Sequence, residues 1–172
     1  MTRIDAATAT PPEITLEMHA ETSVLRCHAG TETRWETRYG LGIDSLARAC
    51  FRSAPPRPLE IEHAIEVTEE QVIGATAVRA SAQWPPTRCL RFGGPGAALL
   101  ADALAAHRGP TAAIPGDAVE ALFNRLVDRS QGRPATHDAV PTDPRFCAAL
   151  LMLRECLHHL GFQEVVLVPD AV

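Results

Sequence analysis

Near the amino terminus, apolar and polar residues alternate with a period of two. The alternation covers residues 14–18 and 34–39, and a shorter apolar segment at 23–28 lies between them. A period of two places one side of each segment in a core and the other side in solvent, which is typical of half-buried β-strands. With turns near Glu21 and Gly30, the pattern predicts a three-stranded antiparallel meander.

The carboxyl-terminal third has a helical pattern instead. Over residues 143–160, apolar side chains recur every three or four positions, and most other positions in the first half of this segment are apolar too. The pattern therefore predicts a helix that is buried on nearly all sides. Asp143, Pro144 and Gly161 favour an N-cap, a first helical turn and a left-handed terminus, respectively. We expect the other elements to pack around this helix.

The rest of the chain predicts four further helices and two further strands, and residues 74–86 stay unassigned. The helices are expected at 45–52 with Asp44 as cap, at 59–73, at 97–107 and at 118–131 with Asp117 as cap; the strands are expected at 87–92 and 165–168.

This order of elements predicts the fold class. Strands come first, helices dominate the middle, and two strands follow helices, which favours α+β over a regular βαβ alternation. We predict an N-terminal antiparallel β-meander, about five helices packed around a buried C-terminal helix, and one or two further strands. Residues 1–12 are expected to be a disordered lead-in, and residues 13–172 to form a single domain.

Composition narrows the function classes. The net charge of −5 argues against nucleic acid or an anionic membrane as partner. All sixteen basic residues are arginine, so Schiff-base lysine chemistry and the lysine of a phosphate-binding P-loop are excluded. The richness in Arg, Ala, Pro and Gly favours a GC-rich bacterial source. Five scattered cysteines without a Cys-x-x-Cys pair, and no secretory signal pattern, predict a cytoplasmic location with reduced thiols.

A glycine-rich turn, Gly93-Gly94-Pro95-Gly96, lies between a predicted strand and a predicted helix. Free backbone N–H groups and the positive end of a helix dipole can bind an anion at such a junction. The simpler interpretation, which we favour, is a tight turn that needs the conformational freedom of glycine. If the turn binds a ligand, Gly93, Gly94 and Gly96 are the ligand-binding residues.

Two Glu-x-x-His matches are candidate metal ligands: Glu60 with His63, and Glu155 with His158. Residues three apart share one face of a helix, as in carboxylate-bridged di-iron bundles. A related zinc option joins Cys156 with His158 and His159, and a buried thiol beside exposed histidines is the simpler alternative. The outer side of the helix at 59–73 is acidic, which indicates a solvated face or a docking surface for a basic partner.

No set of residues assembles into a catalytic constellation, and the sequence implies no cofactor strongly. Our first hypothesis is therefore a small bacterial cytoplasmic protein without catalysis, an accessory or protein-interaction module that forms homo-oligomers or binds a protein partner. The alternative is an enzyme or sensor that binds a small anion or nucleotide at Gly93–Gly96. A metal-binding protein that uses the Glu-x-x-His pairs is the third hypothesis.

Overall fold

A computed structural model describes residues 11–79, 84–133 and 140–168. Within these ranges the chain forms one six-stranded mixed sheet and five α-helices, so the predicted α+β class is confirmed. The strands are β1 (Glu13–Met18), β2 (Ser23–Ala29), β3 (Glu32–Tyr39), β4 (Cys89–Gly93), β5 (Ala113–Pro115) and β6 (Glu164–Leu167). The helices are α1 (Ile43–Cys50), α2 (Pro58–Arg79), α3 (Gly94–Leu104), α4 (Gly116–Ser130) and α5 (Pro144–Leu160). Most of the predicted lead-in, residues 1–10, lies outside the described residues.

The strand order is β3-β2-β1-β4-β6-β5. The predicted meander forms the first half of the sheet, with β1 antiparallel to β2 and β2 antiparallel to β3. In the second half, β4 is parallel to β1 and β6 is parallel to β4, while β5 is antiparallel to β6. Three neighbouring strands, β1, β4 and β6, therefore run in one direction and end at the same edge of the sheet.

The centre of the core is α5, as its apolar pattern predicts. Twelve of its seventeen residues are buried, and it contacts α1, α2, α3 and α4. Asp143 caps it, because its carboxylate accepts hydrogen bonds from the N–H groups of Arg145 and Phe146 at 2.9 and 3.2 Å. Gly161 ends it with a φ of 67°, the left-handed conformation that favours glycine. The inner side of the sheet, including Leu16 and Phe92, is buried as well.

Two predicted helix caps lie two residues after the N-caps that the structure shows. Gly42, and not Asp44, is the N-cap of α1, and Pro115, and not Asp117, is the N-cap of α4. Both aspartates lie in the first helical turn, where a carboxylate still interacts favourably with the positive end of the helix dipole. The residue type was therefore informative about the terminus but not about its position.

One predicted helix is longer than expected, and one strand was not predicted. The helix α2 continues past the expected end at residue 73 to Arg79 and includes Gly74, because a single glycine costs only about 1 kcal/mol in a helix interior. The strand β5 has three residues, which is too short for any periodicity to show.

None of the described helices is long and apolar enough to cross a membrane.

We expect the replacement of Leu153 with alanine to lower the free energy of unfolding by about 2–5 kcal/mol, because the side chain is fully buried in α5 and its loss leaves a cavity. Urea denaturation followed by circular dichroism measures the change. Leu59→Ala is the matched control, since the same atoms are removed from a side chain that is 76% exposed, and its effect should stay within about 0.5 kcal/mol. Equal losses in the two variants would contradict the central position of α5.

Candidate functional site

The candidate site lies at the edge where β1, β4 and β6 end. In sheets with parallel strands, ligands bind outside the carboxyl ends of those strands. Met18 ends β1, Gly93 ends β4 and Leu167 ends β6, and the N–H of Val168 continues the ladder with a 2.8 Å hydrogen bond to the carbonyl oxygen of Phe92. Two helices, α1 and α3, also begin at this edge.

The N-terminus of α1 is closed to ligands because the β1–β2 turn occupies it. The N–H of Ile43 donates to the carbonyl oxygen of His19 at 2.9 Å, and the N–H of Asp44 donates to that of Ala20 at 2.8 Å. Gly42 permits this close approach, since a Cβ there would lie 2.5 Å from the backbone nitrogen of Thr22. An anion at this helix terminus would have to displace backbone hydrogen bonds.

The N-terminus of α3 is different. Gly93 is its N-cap, and no side chain caps the helix within the described part of the chain. The first N–H groups of a helix have no partner inside the helix, so this terminus offers the N–H groups that remain beside Pro95 and the positive end of its dipole. The predicted strand–turn–helix junction at Gly93–Gly96 is therefore present.

Packing also explains two of the three glycines. Gly94 has a φ of 74°, and a Cβ there would lie 3.1 Å from the carbonyl oxygen of Met18. A Cβ on Gly96 would lie 2.9 Å from the Cβ of Met18 and 3.0 Å from the Cζ of Phe92. The turn thus needs these glycines to fit against β1 and β4 whether or not a ligand binds, which supports the simpler interpretation of the motif without excluding the other.

A groove of about 270 Å³ extends from this turn along α3. Its lining residues are mainly small or apolar, with a single charged one: Gly94, Ala97, Ala98, Ala101, Arg108, Leu167 and Val168. Arg108 is exposed, and its guanidinium forms no ion pair or side-chain hydrogen bond within the part of the chain that the structure describes. The groove therefore combines a helix N-terminus with an uncompensated positive charge.

Arg108 was missed by sequence reasoning, because nothing in the local sequence distinguishes it from the other arginines. It follows a 3₁₀ turn, Ala105–His107, that continues α3. That turn places Arg108 back at the groove, beside residues 94–101. The proximity is a product of tertiary structure and has no periodic signature.

A larger open cavity, about 770 Å³, lies at the opposite edge, between the start of α4 and the end of α5. Asp117, Glu120, Arg154 and His158 contribute its ionisable side chains. The Nε of Arg154 donates to Glu120 at 2.9 Å and its Nη1 donates to Glu155 at 2.5 Å. Because the guanidinium is already neutralised by two carboxylates, this cavity is poorly suited to an anion.

The structure does not bring the predicted metal ligands Glu60, His63, Glu155 and His158 together. The carboxylate of Glu60 accepts hydrogen bonds from the Ser53 hydroxyl at 2.8 Å and the Arg57 N–H at 2.9 Å, so it caps the start of α2. Desolvation acts to raise the pKa of Glu60, but the hydrogen bonds outweigh it and the pKa is lowered. His63 lies on the exposed side of α2, 3.8 Å from Glu66, and His158 is exposed at the larger cavity.

Within the described ranges, one group of potential ligand side chains does converge: Glu69, Glu155 and His159. Glu155 belongs to the predicted set, whereas His159 replaces His158 and Glu69 comes from the side of α2 that we expected to be solvated. A signal for Glu69 exists in the sequence, because it follows Ile61 and Ile65 at the helical spacing of four.

The zinc option with Cys156 is not supported by the geometry. Cys156 is buried and does not belong to the converging group. Burial, and to a lesser extent the nearby carboxylate of Glu155, raises the pKa of its thiol to about 12. A thiol that stays protonated at neutral pH is a poor zinc ligand, because zinc binds the thiolate.

No protein-family model and no curated protein sequence matches the chain. Among solved structures, the chain is similar to the PPX-GPPA enzyme of Aquifex aeolicus, with 12% identity and a TM-score of 0.67 over 95% of this chain and 55% of that one. It is also similar to an exopolyphosphatase from Cytophaga hutchinsonii, with 14% identity and a TM-score of 0.68 over 93% of this chain and 54% of that one. An exopolyphosphatase-like protein gives 9% identity and a TM-score of 0.69 over 98% and 58%.

These similarities establish a shared fold. The chain spans slightly more than half the length of each of these structures, so it corresponds to a part of them. At such identities the likeness says nothing directly about the activity of this chain.

We expect Gly42→Ala to destabilise the protein by about 1–3 kcal/mol, because the new methyl group would force apart the β1–β2 turn and the start of α1. Thermal unfolding monitored by circular dichroism tests this. Gly40→Ala is the control: a Cβ on Gly40 has no atom within 4 Å, so this variant should be neutral or slightly stabilised. A neutral Gly42→Ala would show that the turn does not hold α1 as described.

Proposed function

We propose that this domain binds a small phosphate-bearing anion at the groove formed by the Gly93–Gly96 turn, α3 and Arg108. The observation that carries the proposal is a groove lined both by the start of α3, which no described side chain caps, and by Arg108, whose guanidinium has no ion-pair partner among the described residues. The likeness to domains of PPX-GPPA and exopolyphosphatase structures supports it, since phosphate-bearing anions are the ligands that such names imply. It favours the alternative hypothesis from the sequence over an interaction module.

The groove has the chemistry that phosphate recognition requires. Backbone N–H groups at a helix N-terminus and an arginine both donate to phosphate oxygens, and Arg does so in a planar, bidentate geometry. Alanines at positions 97, 98 and 101 leave room for an anion to approach the helix backbone. The protein carries five more negative than positive charges, so a local positive field is needed to attract an anion at all.

We propose binding, and not hydrolysis by this chain alone. The described residues that line the groove include no carboxylate, imidazole, hydroxyl or thiol to act as general base or nucleophile. At the same edge, Glu17 pairs with Gly93 in the ladder between β1 and β4. Its Oε2 lies 2.6 Å from the Nη1 of Arg26, which neutralises the carboxylate. A hydrolytic role would require groups other than the described residues that line the groove.

The interaction-module hypothesis stays a prediction, as do the cytoplasmic location and the homo-oligomer. Two large apolar side chains, Leu59 and Ile73, are exposed on α2. Single exposed apolar residues are common on monomers and do not define an interface.

The proposal predicts saturable binding of tripolyphosphate at low salt, measured by isothermal titration calorimetry. We expect Arg108→Gln to weaken binding about tenfold or more, because a charge-assisted hydrogen bond contributes about 1.5–3 kcal/mol. Ala98→Glu should abolish binding, since Ala98 is an exposed groove residue whose replacement introduces a negative charge without disturbing the core. Orthophosphate should compete for the same site.

The matched control is Arg34→Gln, which removes the same charge from an exposed position on β3, the edge strand farthest from β6 and β5. Its affinity should stay within about twofold of the wild type, because exposed charges beyond a Debye length are screened. Absence of saturable binding by the wild type, or equal losses in Arg108→Gln and Arg34→Gln, would overturn the proposal.

A further inference from the structure

The three side chains that converge between α2 and α5, Glu69, Glu155 and His159, form a cluster distinct from the groove. Their potential ligand atoms all lie within 4.8 Å of one another. Glu155 and His159 are four residues apart on α5 and share one face of that helix, whereas Glu69 comes from the middle of α2. We refer to these three residues as the α2–α5 cluster.

The carboxylate of Glu155 lacks a full set of partners. Its side chain has no exposed surface, and burial of a carboxylate is costly unless both oxygens are paired. Oε1 accepts a hydrogen bond from Arg154. Oε2 is buried and accepts no hydrogen bond from any described residue, although it points at the His159 ring, with 3.3 Å between Oε2 and Nε2.

A single imidazole proton cannot complete this arrangement. The Nε2 of His159 lies 3.3 Å from Oε2 of Glu155 and 3.3 Å from Oε1 of Glu69. Nε2 carries at most one proton, so it can donate to only one of these two carboxylate oxygens. Both distances also exceed the usual length of about 2.9 Å for an N–H···O hydrogen bond.

The same distances fit a shared metal ion. Zinc binds imidazole nitrogen and carboxylate oxygen at about 2.0–2.2 Å with tetrahedral geometry, which places neighbouring ligand atoms about 3.3–3.6 Å apart. The charge balance agrees with this fit. The carboxylates of Glu120 and Glu155 share the one guanidinium of Arg154, and Glu69 adds a further carboxylate at Glu155, so the neighbourhood has an excess of negative charge that a divalent cation would cancel.

The cluster is also reachable from solvent. The side chains of Glu69 and His159 are 40% and 26% exposed, while the side chain of Glu155 lies at the buried end of the cluster. An ion can therefore enter from the surface, with water as its remaining ligand.

We propose that the α2–α5 cluster is a binding site for one divalent transition-metal ion, with an imidazole nitrogen and two carboxylate oxygens as ligands. Imidazole with carboxylates suits Zn²⁺ and Mn²⁺, whereas Mg²⁺ prefers oxygen ligands and retains most of its water. The ion would link α2 to α5 and complete the pairing of Glu155. This site is independent of the anion groove, so neither proposal requires the other.

The test is titration of chelator-treated, intact protein with Zn²⁺, and with Mg²⁺ for comparison, by calorimetry, together with native mass spectrometry for the stoichiometry. We expect one Zn²⁺ per chain, weak or no binding of Mg²⁺, and a higher melting temperature with Zn²⁺ than without it. Glu69→Gln and His159→Gln should each weaken Zn²⁺ binding at least about tenfold and remove the thermal shift. Both side chains are partly exposed, so these variants should remain folded.

Two matched controls separate this site from adventitious surface histidines. His158→Gln changes an exposed neighbour on α5, and Glu66→Gln changes an exposed carboxylate on α2. Both should bind Zn²⁺ like the wild type. The proposal is overturned if the wild type binds no Zn²⁺, or if the controls lose as much affinity as the cluster variants. It is also overturned if Zn²⁺ leaves the melting temperature unchanged.

Discussion

The whole structure depends on the burial of α5. A helix that is covered on nearly all sides needs neighbours in every direction, and α1, α2, α3 and α4 supply them. Because the hydrophobic effect is proportional to the apolar area removed from water, the apolar residues of α5 provide a common surface on which four other helices are fixed. Three of these helices, α2, α3 and α4, also contact strands of the sheet.

Because the central helix is buried, any polar side chain on it carries a free-energy cost of desolvation. Among the described residues of α5, Glu155 is the one charged residue that is completely buried. Arg154 compensates one of its oxygens, and Glu120 in turn engages Arg154 from α4. The Arg154 guanidinium additionally lies 5.2 Å from the centre of the Phe123 ring. This group of polar side chains thus extends from α4 through α5 to Glu69 on α2, whose carboxylate lies 3.3 Å from the His159 imidazole.

The sequence predicts the elements whose signals are local. The meander has a period of two, α5 has a buried helical pattern with a capping residue at each end, and both signals survive in the structure. Local sequence patterns do not predict the features that depend on tertiary contacts. Gly42 replaces Asp44 as the cap of α1 because carbonyl oxygens of the distant β1–β2 turn already bind the first N–H groups of that helix. The strand β5 exists only because β6 pairs with it.

The candidate sites follow the same division. The Gly93–Gly96 turn is visible in the sequence because strand, glycines and helix are contiguous. Arg108 is not visible, since it reaches the groove through the turn of the chain after α3. Likewise, the Glu-x-x-His pattern includes Glu155, but it pairs this residue with His158, three residues further along the chain. The structure instead turns His159 and Glu69 toward it, because His158 lies on the exposed side of α5.

The two proposed sites differ in charge for a reason that follows from the fold. At the carboxyl edge of the parallel strands, α3 presents its N-terminus, so the field there is positive, and Arg108 adds a positive charge to the groove that begins at this terminus. The α2–α5 cluster lies in the last two turns of α5, where the helix dipole is negative and favours cations. In a chain with twenty-one acidic residues and sixteen arginines, the direction of these helices separates a region suited to an anion from a region suited to a cation. Reversal of either charge, at Arg108 or at Glu155, would therefore oppose binding of the ion to which each region is suited.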